Sequence, residues 1–514
     1  MKKISIISII ILLGSLLLTS CNDFLDETPD NRAQLDSEEK ITSLLVSAYP
    51  RNSSAYVLEA ASDNMDENVG TKWSNDLLLE AYYNWKTDYE SGNDRIENIW
   101  GTGYKAVATA NHALEAIERM GNPASLNAQK GEALIARAYG HFYLSEVFCL
   151  AYGKNSNKDL GIPYADKPET EVNPHYERGT MEQLYERINA DIEAALPLIN
   201  DNLHKVPKYH FNKKAAYAFA ARFNLFYRKY DKAIEYANVV LGENPRSVLR
   251  DWPALNLLPT GNNNMVSDAY IDVNSPANLL IISTTSAWGA RYRGALRYSH
   301  NSYISRTETL QSPGPWGTGS NINVKISNFN NNPSTVMRKI EQYWEVLDPI
   351  KGTGYAHVLQ VLFSTDETLL CRAEAYALKK EYVKAFEDIN TFMGVFTKIG
   401  SYDFDKVVKY YNDLEYYKPD APTVKKKLNA DFDIEAGTQE SLIHCILHLR
   451  RIAFVHEGLR FADIKRYGIE IQRRQINGTD DLEGITDQML KDDPRRALQL
   501  PPAVVAAGLQ ENPR

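Results

Sequence analysis

Two nonapeptides, YDKAIEYAN at residues 230–238 and YVKAFEDIN at residues 382–390, share the pattern Tyr-x-Lys-Ala-x-Glu-x-x-Asn across a long separation in the chain. Each follows an apolar, Ala-rich segment (AAYAFAARFNLFYRK and DETLLCRAEAYALKK) that ends in a short turn. The spacing predicts a helical hairpin in both places, with the small Ala233 and Ala385 allowing close approach of the second helix. A chain carrying this unit twice is constrained to a helical scaffold whose hairpins stack on one another.

That is the logic of tetratricopeptide repeats, here in a non-tandem array. Other segments extend it. Residues 96–120 space Trp100, Tyr104, Val107, Ala108, Leu114 and Ile117 along one stripe, and Asn122-Pro123 stops the helix. A return helix over residues 128–150 carries Leu134, Ala138, Tyr139, Phe142 and Val147. A third opens at Thr180, whose hydroxyl can cap the first turn while Gln183 closes a capping box, and Pro197 ends it. The expected fold is mostly α: tetratricopeptide-like helical pairs forming a scaffold, with a large irregular, loop-rich insertion containing short strands.

The insertion runs over residues 242–334, where the helical period is lost among Asn, Gly, Ser and Pro. A structureless run of that length is uncommon inside a compact domain unless it serves a function. Its aromatics, Trp288, Tyr292, Tyr298, Tyr303 and Trp316, argue against disorder, and residues 278–283 (NLLIIS) read as a strand anchoring the loops. A second irregular stretch, residues 62–93, carries Trp73, Tyr82, Tyr83 and Trp85. Residues 22–75 otherwise read as a polar leader around one helical piece at residues 38–49.

The first 20 residues stand apart. Lys2 and Lys3 precede a short apolar run, the pattern of a secretory signal rather than a membrane span. Leu18-Thr19-Ser20-Cys21 resembles a bacterial lipobox, which makes Cys21 the lipidated first residue of the mature chain. Loss of the two lysines lowers the net charge from −9 to −11, a balance that argues against nucleic acid as a partner. The remaining thiols, Cys149, Cys371 and Cys445, sit in apolar helical contexts and read as buried and unpaired. The segments are then 1–20 signal, 21–95 lipidated leader and loop, 96–241 helical part, 242–334 insertion, and 335–514 second helical repeat and C-terminal part.

Catalytic patterns are weak. His444 and His448 lie one helical turn apart, but Cys-Ile-Leu between them lacks the Glu of a metalloprotease helix. Nucleophile elbow, P-loop and zinc-type cysteine pairs are missing from the sequence. Asp63, Asp66 and Glu67 beside Asn64 and Asn68 invite the thought of calcium, yet the ligand order of an EF-hand is not there, and they read as a solvated loop. No metal or cofactor other than the lipid on Cys21 is expected. A pair of carboxylates brought together by the fold, as in glycoside hydrolases, remains an alternative that sequence does not address.

RRIAFVHEGLRFADIKRYG, residues 450–468, contains Glu457-Gly458-x-Arg460-x-x-Asp463-Ile464-x-Arg466-Tyr467-Gly468. This resembles the C-terminal signature of the SusD/RagB family of nutrient-binding outer-membrane lipoproteins. The lipobox followed by CNDFLDETP, the Trp100–Tyr104–Asn111 helix, the helical pairs and the ending LPPAVVAAGLQENP match it along essentially the whole chain. Leu449 and Ala453, where members usually carry acids, and Phe461 and Tyr467, where they carry tryptophan, depart from it. The resemblance implies a lipid-anchored, outward-facing, non-enzymatic protein of the outer membrane. It implies binding of oligosaccharide or polysaccharide, or in some members peptide or glycopeptide, and delivery to a SusC-like, TonB-dependent barrel. A flat aromatic ring stacks on the apolar face of a sugar while Asn and Arg bond its hydroxyls, so Trp288, Tyr292, Tyr298 and Trp316, with Arg291 and Arg293 and with Trp73 and Trp85 of the earlier stretch, are the expected ligand face. Residues 450–468 themselves are expected to form a scaffold joint, with Gly458 at a close approach or break.

Overall fold

The computed structural model describes residues 35–70, 72–170, 175–259, 264–328 and 332–514. Cys21 and the leader sequence lie outside the described residues.

The helices form where the period places them. Ile96–Arg119 and Asn127–Phe148 make the first hairpin, and Gly103 sits at a close approach between them: a Cβ there would stand 2.6 Å from Leu144 Cδ2. The capping box is present, with Gln183 N donating to Thr180 Oγ1 at 3.2 Å and Thr180 N donating to Gln183 Oε1 at 3.0 Å. Both repeat hairpins form, Lys213–Phe226 with Tyr230–Leu241 and Thr365–Leu378 with Tyr382–Phe396. They stack directly on each other. Arg372 of the second pair binds Asp388 at 2.6 Å and reaches the repeat-motif Asn238 of the first at 2.7 Å. Interruption in sequence is therefore no interruption in space.

Nine strands occur among the described residues: β1 Asp66–Asn68, β2 Asn278–Thr284, β3 Tyr298–Ser299, β4 Ile326–Asn328, β5 Thr335–Met337, β6 Gln342–Asp348, β7 Thr353–Ser364, β8 Ile471–Ile476 and β9 Leu482–Met489. They pair as β3-β1-β8-β9, β2-β7-β6 and β4-β5. The strand expected at residues 278–283 is β2. The β6–β7 hairpin was not expected, since residues 335–514 read as helical.

Two expectations are corrected here. Much of residues 35–95 is built into the core: Ala55–Ala61 is buried along its length, and β1 pairs in parallel with β8. The acids read as a solvated loop are buried as well. Arg460 grips Asp63 with two bonds at 2.8 and 2.9 Å, Arg474 grips Asp66 with two at 2.9 Å, and Glu67 takes Arg297 Nε at 2.8 Å. The insertion, for its part, contributes Trp252, Trp288 and Trp316 to the same apolar cluster as the helical hairpins.

The charged stretch from Arg450 is the joint. Glu308 binds Arg451 at 2.7 Å, Arg474 at 2.8 Å and Lys426 at 3.2 Å, and Lys426 reaches Asp63 at 2.7 Å. Beside this network Asp463 bridges Arg450 at 3.0 Å and Arg466 at 2.7 Å, and Arg466 continues to Glu374 at 2.5 Å. Gly458 has φ +82°, and a Cβ would lie 2.9 Å from Ala55 Cα, so helix Ala55–Ala61 sits against its backbone. His444 and His448 turn to different partners: His444 faces Glu440 at 3.6 Å, while His448 Nε2 meets Ser312 Oγ at 2.8 Å and its Nδ1 meets Tyr411 OH at 3.0 Å.

The free cysteines Cys149, Cys371 and Cys445 are buried. Burial pushes the Cys149 thiol up to about 11 and those of Cys371 and Cys445 up to about 12. Only thiolate is nucleophilic. Iodoacetamide at pH 8, mapped by peptide mass, is expected to leave all three unmodified in the native protein and to label them in urea; labelling of any one in the folded state would show its helix to open locally.

Candidate functional site

Most of the expected ligand face faces inward. Trp288 is buried, donates Nε1–H to His456 O at 2.8 Å and meets Tyr56 edge-on at 5.4 Å. Trp316 is buried, donates to Ser312 O at 3.2 Å and packs on His448. Trp85 donates to Ala61 O at 2.8 Å, with the guanidinium of Arg473 4.0 Å from its ring centroid and that of Arg495 at 4.8 Å. Tyr298 lies 4.5 Å from Tyr83, and Tyr292 4.8 Å from His456. Burial raises the phenols of both, Tyr298 to about 12. All five rings are buried in the packing and none is presented at the surface as the expected ligand face required. An indole or phenol in a polar loop buries its large apolar area wherever its N–H or O–H has a partner, and the partners here come from segments remote in sequence. Arg293 is likewise spent, on Glu341 at 2.6 Å and on Gly289 O at 3.0 Å.

Trp73 and Arg291 differ. Trp73 is half-buried, with Lys72 Nζ 4.2 Å from its ring centroid. Its loop is fixed by backbone pairing, Ser74 N to Ala295 O and Arg297 N to Ser74 O, both at 2.9 Å. Arg291 has a side chain 51% exposed and held 3.5 Å from Asp76, which also caps helix Leu77–Tyr83 by accepting from Leu79 N. Loops 72–76 and 288–297 thus meet at the surface with an indole, a guanidinium and a carboxylate together.

The hairpin β6–β7 adjoins them. Helix Trp288–Arg291 packs on β6 so closely that a Cβ on Gly289 would stand 2.7 Å from Gln342 N. Two residues along that strand, Trp344 is 58% exposed and Val346 52% exposed. Tyr343 OH donates to Asp268 at 2.6 Å and Tyr355 OH to Glu345 at 2.6 Å, which stiffens the hairpin while leaving the indole of Trp344 open. Trp344 was missed because residues 335–514 read as helical, and the run QYWEVLD that holds it carries no clean strand alternation.

Two buried carboxyls have pKa values moved toward neutrality. Burial lifts Glu59 to about 7 and Asp94 to about 6. Glu59 accepts from Gly458 N and Asn64 Nδ2, and Asp94 from Ser286 Oγ and Ala287 N, so both are tied to the joints that hold the loops.

Residues 23–225 match a SusD-like family model described as starch-binding associating with outer membrane. The whole architecture is similar to that of a SusD superfamily protein from Bacteroides thetaiotaomicron, at 18% identity over 94% of this chain and 100% of that one, with TM-score 0.62. The chain has a SusD-like fold, and residues 23–225 resemble the family in sequence. A SusD superfamily protein from Bacteroides fragilis is similar at 17% identity, covering 92% of this chain and 99% of that one with TM-score 0.63. A putative sugar-binding protein from Bacteroides vulgatus is similar at 16% identity, covering 94% and 99% with TM-score 0.63. No curated relative matches the SusD-like chain. In it, the signature residues 450–468 belong to the buried joint, while Trp73, Arg291 and Trp344 stand on the loops and hairpin that the joint supports.

Proposed function

We propose that this SusD-like chain is a non-catalytic lipoprotein of the outer membrane that captures oligosaccharide on the face carrying Trp73, Arg291 and Trp344. The observation that carries the reading is Trp344, an indole 58% exposed on a stiffened hairpin. A ring held open at the surface of a folded protein is a stacking platform for the apolar face of a pyranose, and Arg291 beside Asp76 supplies donors and acceptors for hydroxyls. The outer-membrane description of the family matched by residues 23–225 and the sugar-binding description of the B. vulgatus protein support the ligand class. The reading includes a lipid on Cys21, orientation toward the cell exterior, and transfer of the glycan to a SusC-like, TonB-dependent barrel. Among the described residues no helix is long and apolar enough to cross a membrane, and the lipid is the proposed anchor.

Calorimetry or affinity electrophoresis of the purified protein against a panel of polysaccharides and peptides tests this. Each aromatic stack contributes about 0.5–1.5 kcal/mol, so Trp73→Ala with Trp344→Ala should weaken glycan binding by about 1–3 kcal/mol, roughly 5- to 150-fold in Kd. Thermal unfolding of the double variant should stay close to that of the parent. Binding of peptides alone moves the chain to the peptide-binding branch, and release of sugar from the polymer makes it a hydrolase; either outcome ends the present reading.

A further inference from the structure

Outside the ligand face, one cluster of metal-ligating side chains occurs among the described residues. Glu132, on helix Asn127–Phe148, is buried. Its carboxylate faces residues 196–212, the connection between helices Met181–Ala195 and Lys213–Phe226. One oxygen accepts from Tyr49 OH at 2.8 Å and lies 2.9 Å from His210 Nδ1; the other lies 2.6 Å from His204 Nε2. The two imidazoles are parallel, 5° between planes, with centroids 3.4 Å apart. Two stacked histidines from one loop thus converge on a single buried Glu, a set of two imidazoles and one carboxylate.

We propose that Glu132, His204 and His210 form a binding site for a zinc-class divalent cation. Two imidazole nitrogens and one carboxylate suit a borderline metal, and the partly exposed edges of the two rings leave a fourth position to water. The ligating atoms lie within 4.8 Å of one another, the span of a single coordination sphere. In the structure as it stands the carboxylate accepts, so the ring nitrogens facing it carry hydrogen. Ligation moves each of these protons to the other ring nitrogen and turns the freed lone pair on the ion. A parallel pair cannot aim both lone pairs at one point, so the rings fan apart on binding. His204 follows the turn Asp201–Leu203 in extended backbone with a side chain 12% exposed, and on this proposal it is the ring that swings. The ion would staple the connection 196–212 to helix Asn127–Phe148, next to Phe211, whose N–H donates to Tyr49 OH at 2.7 Å.

Titration of Zn2+ into chelator-stripped protein at pH 7.5 is expected to show one tight equivalent. His204→Ala and His210→Ala should each weaken it by roughly 100-fold or more, at least the upper end of what loss of a supporting residue does to a metal site. Co2+ added to the unmodified protein should give the intense visible bands of a four-coordinate ion, which reports on the site without any substitution. Absence of a stoichiometric equivalent, absence of those bands, or unchanged affinity in the folded His204→Ala/His210→Ala double variant would each overturn the proposal and leave the cluster as a hydrogen-bonded staple. Glycan binding is not read in any of these measurements, so failure of this site leaves the ligand face untouched.

Discussion

Glu308→Gln is expected to destabilise the protein by about 3–5 kcal/mol in urea unfolding at pH 7.5, the range for removing one partner from a buried ion network. Glu308 is fully buried and contacts Arg451, Arg474 and Lys426. Removing its charge leaves these cations, together with Arg460, facing only Asp63 and Asp66 across a space closed to water. Asp480→Asn is the control. It removes the partner of Arg306, whose side chain is 51% exposed, and such surface pairs contribute about 0–1 kcal/mol. The acid limb of the stability curve gives an independent reading. The surrounding cations hold the Asp63 and Glu308 carboxyls well below their ordinary values of 3.8 and 4.5. A depressed folded pKa means that the contribution is complete above those ordinary values and is lost as pH falls toward the folded ones. Stability should therefore drop on acidification below about pH 4, and Glu308→Gln should flatten that limb. Equal losses from Glu308→Gln and Asp480→Asn would mean that water enters the joint.

The network also explains which parts of the structure were legible in sequence. Local physics was: the stripe of Trp100, Val107 and Ile117, the Thr180–Gln183 box, and the pairing surfaces of Ala233 and Ala385 all depend on residues a few positions apart, and all appear as expected. Asp63 and Asp66 were misread because an acid near asparagines looks solvated until its cation is known, and their cations, Arg451, Arg460 and Arg474, come from the other end of the chain. The β6–β7 hairpin was hidden for a different reason. Along β7 most residues are half-buried on both faces, so the two-residue alternation that marks a strand is blunted. The ligand face was illegible because composition shows that a loop is rich in aromatics without showing which way each ring turns. Trp288 and Trp344 are equally aromatic in sequence, and only His456 O, waiting for an indole N–H, distinguishes the first.

That distinction yields the last large effect. Trp316→Ala and Trp288→Ala should each destabilise the fold by about 3–5 kcal/mol, as expected for truncating a fully buried indole, while Trp344→Ala should change stability by less than about 0.5 kcal/mol. Trp316 leaves the larger problem behind, since the ring fills the space beside Gly314, packs tilted against His448 and satisfies Ser312 O. Trp316→Phe keeps most of the apolar volume and should recover roughly half of the loss, separating packing from the N–H bond. At a temperature where every variant is folded, Trp316→Ala and Trp288→Ala should bind glycan with the parent Kd, and Trp344→Ala should not. The reverse pattern, full stability with lost binding for Trp288→Ala or Trp316→Ala, would show that the insertion loops turn outward to meet the sugar, and the packed arrangement would then be the ligand-free state of a surface that opens.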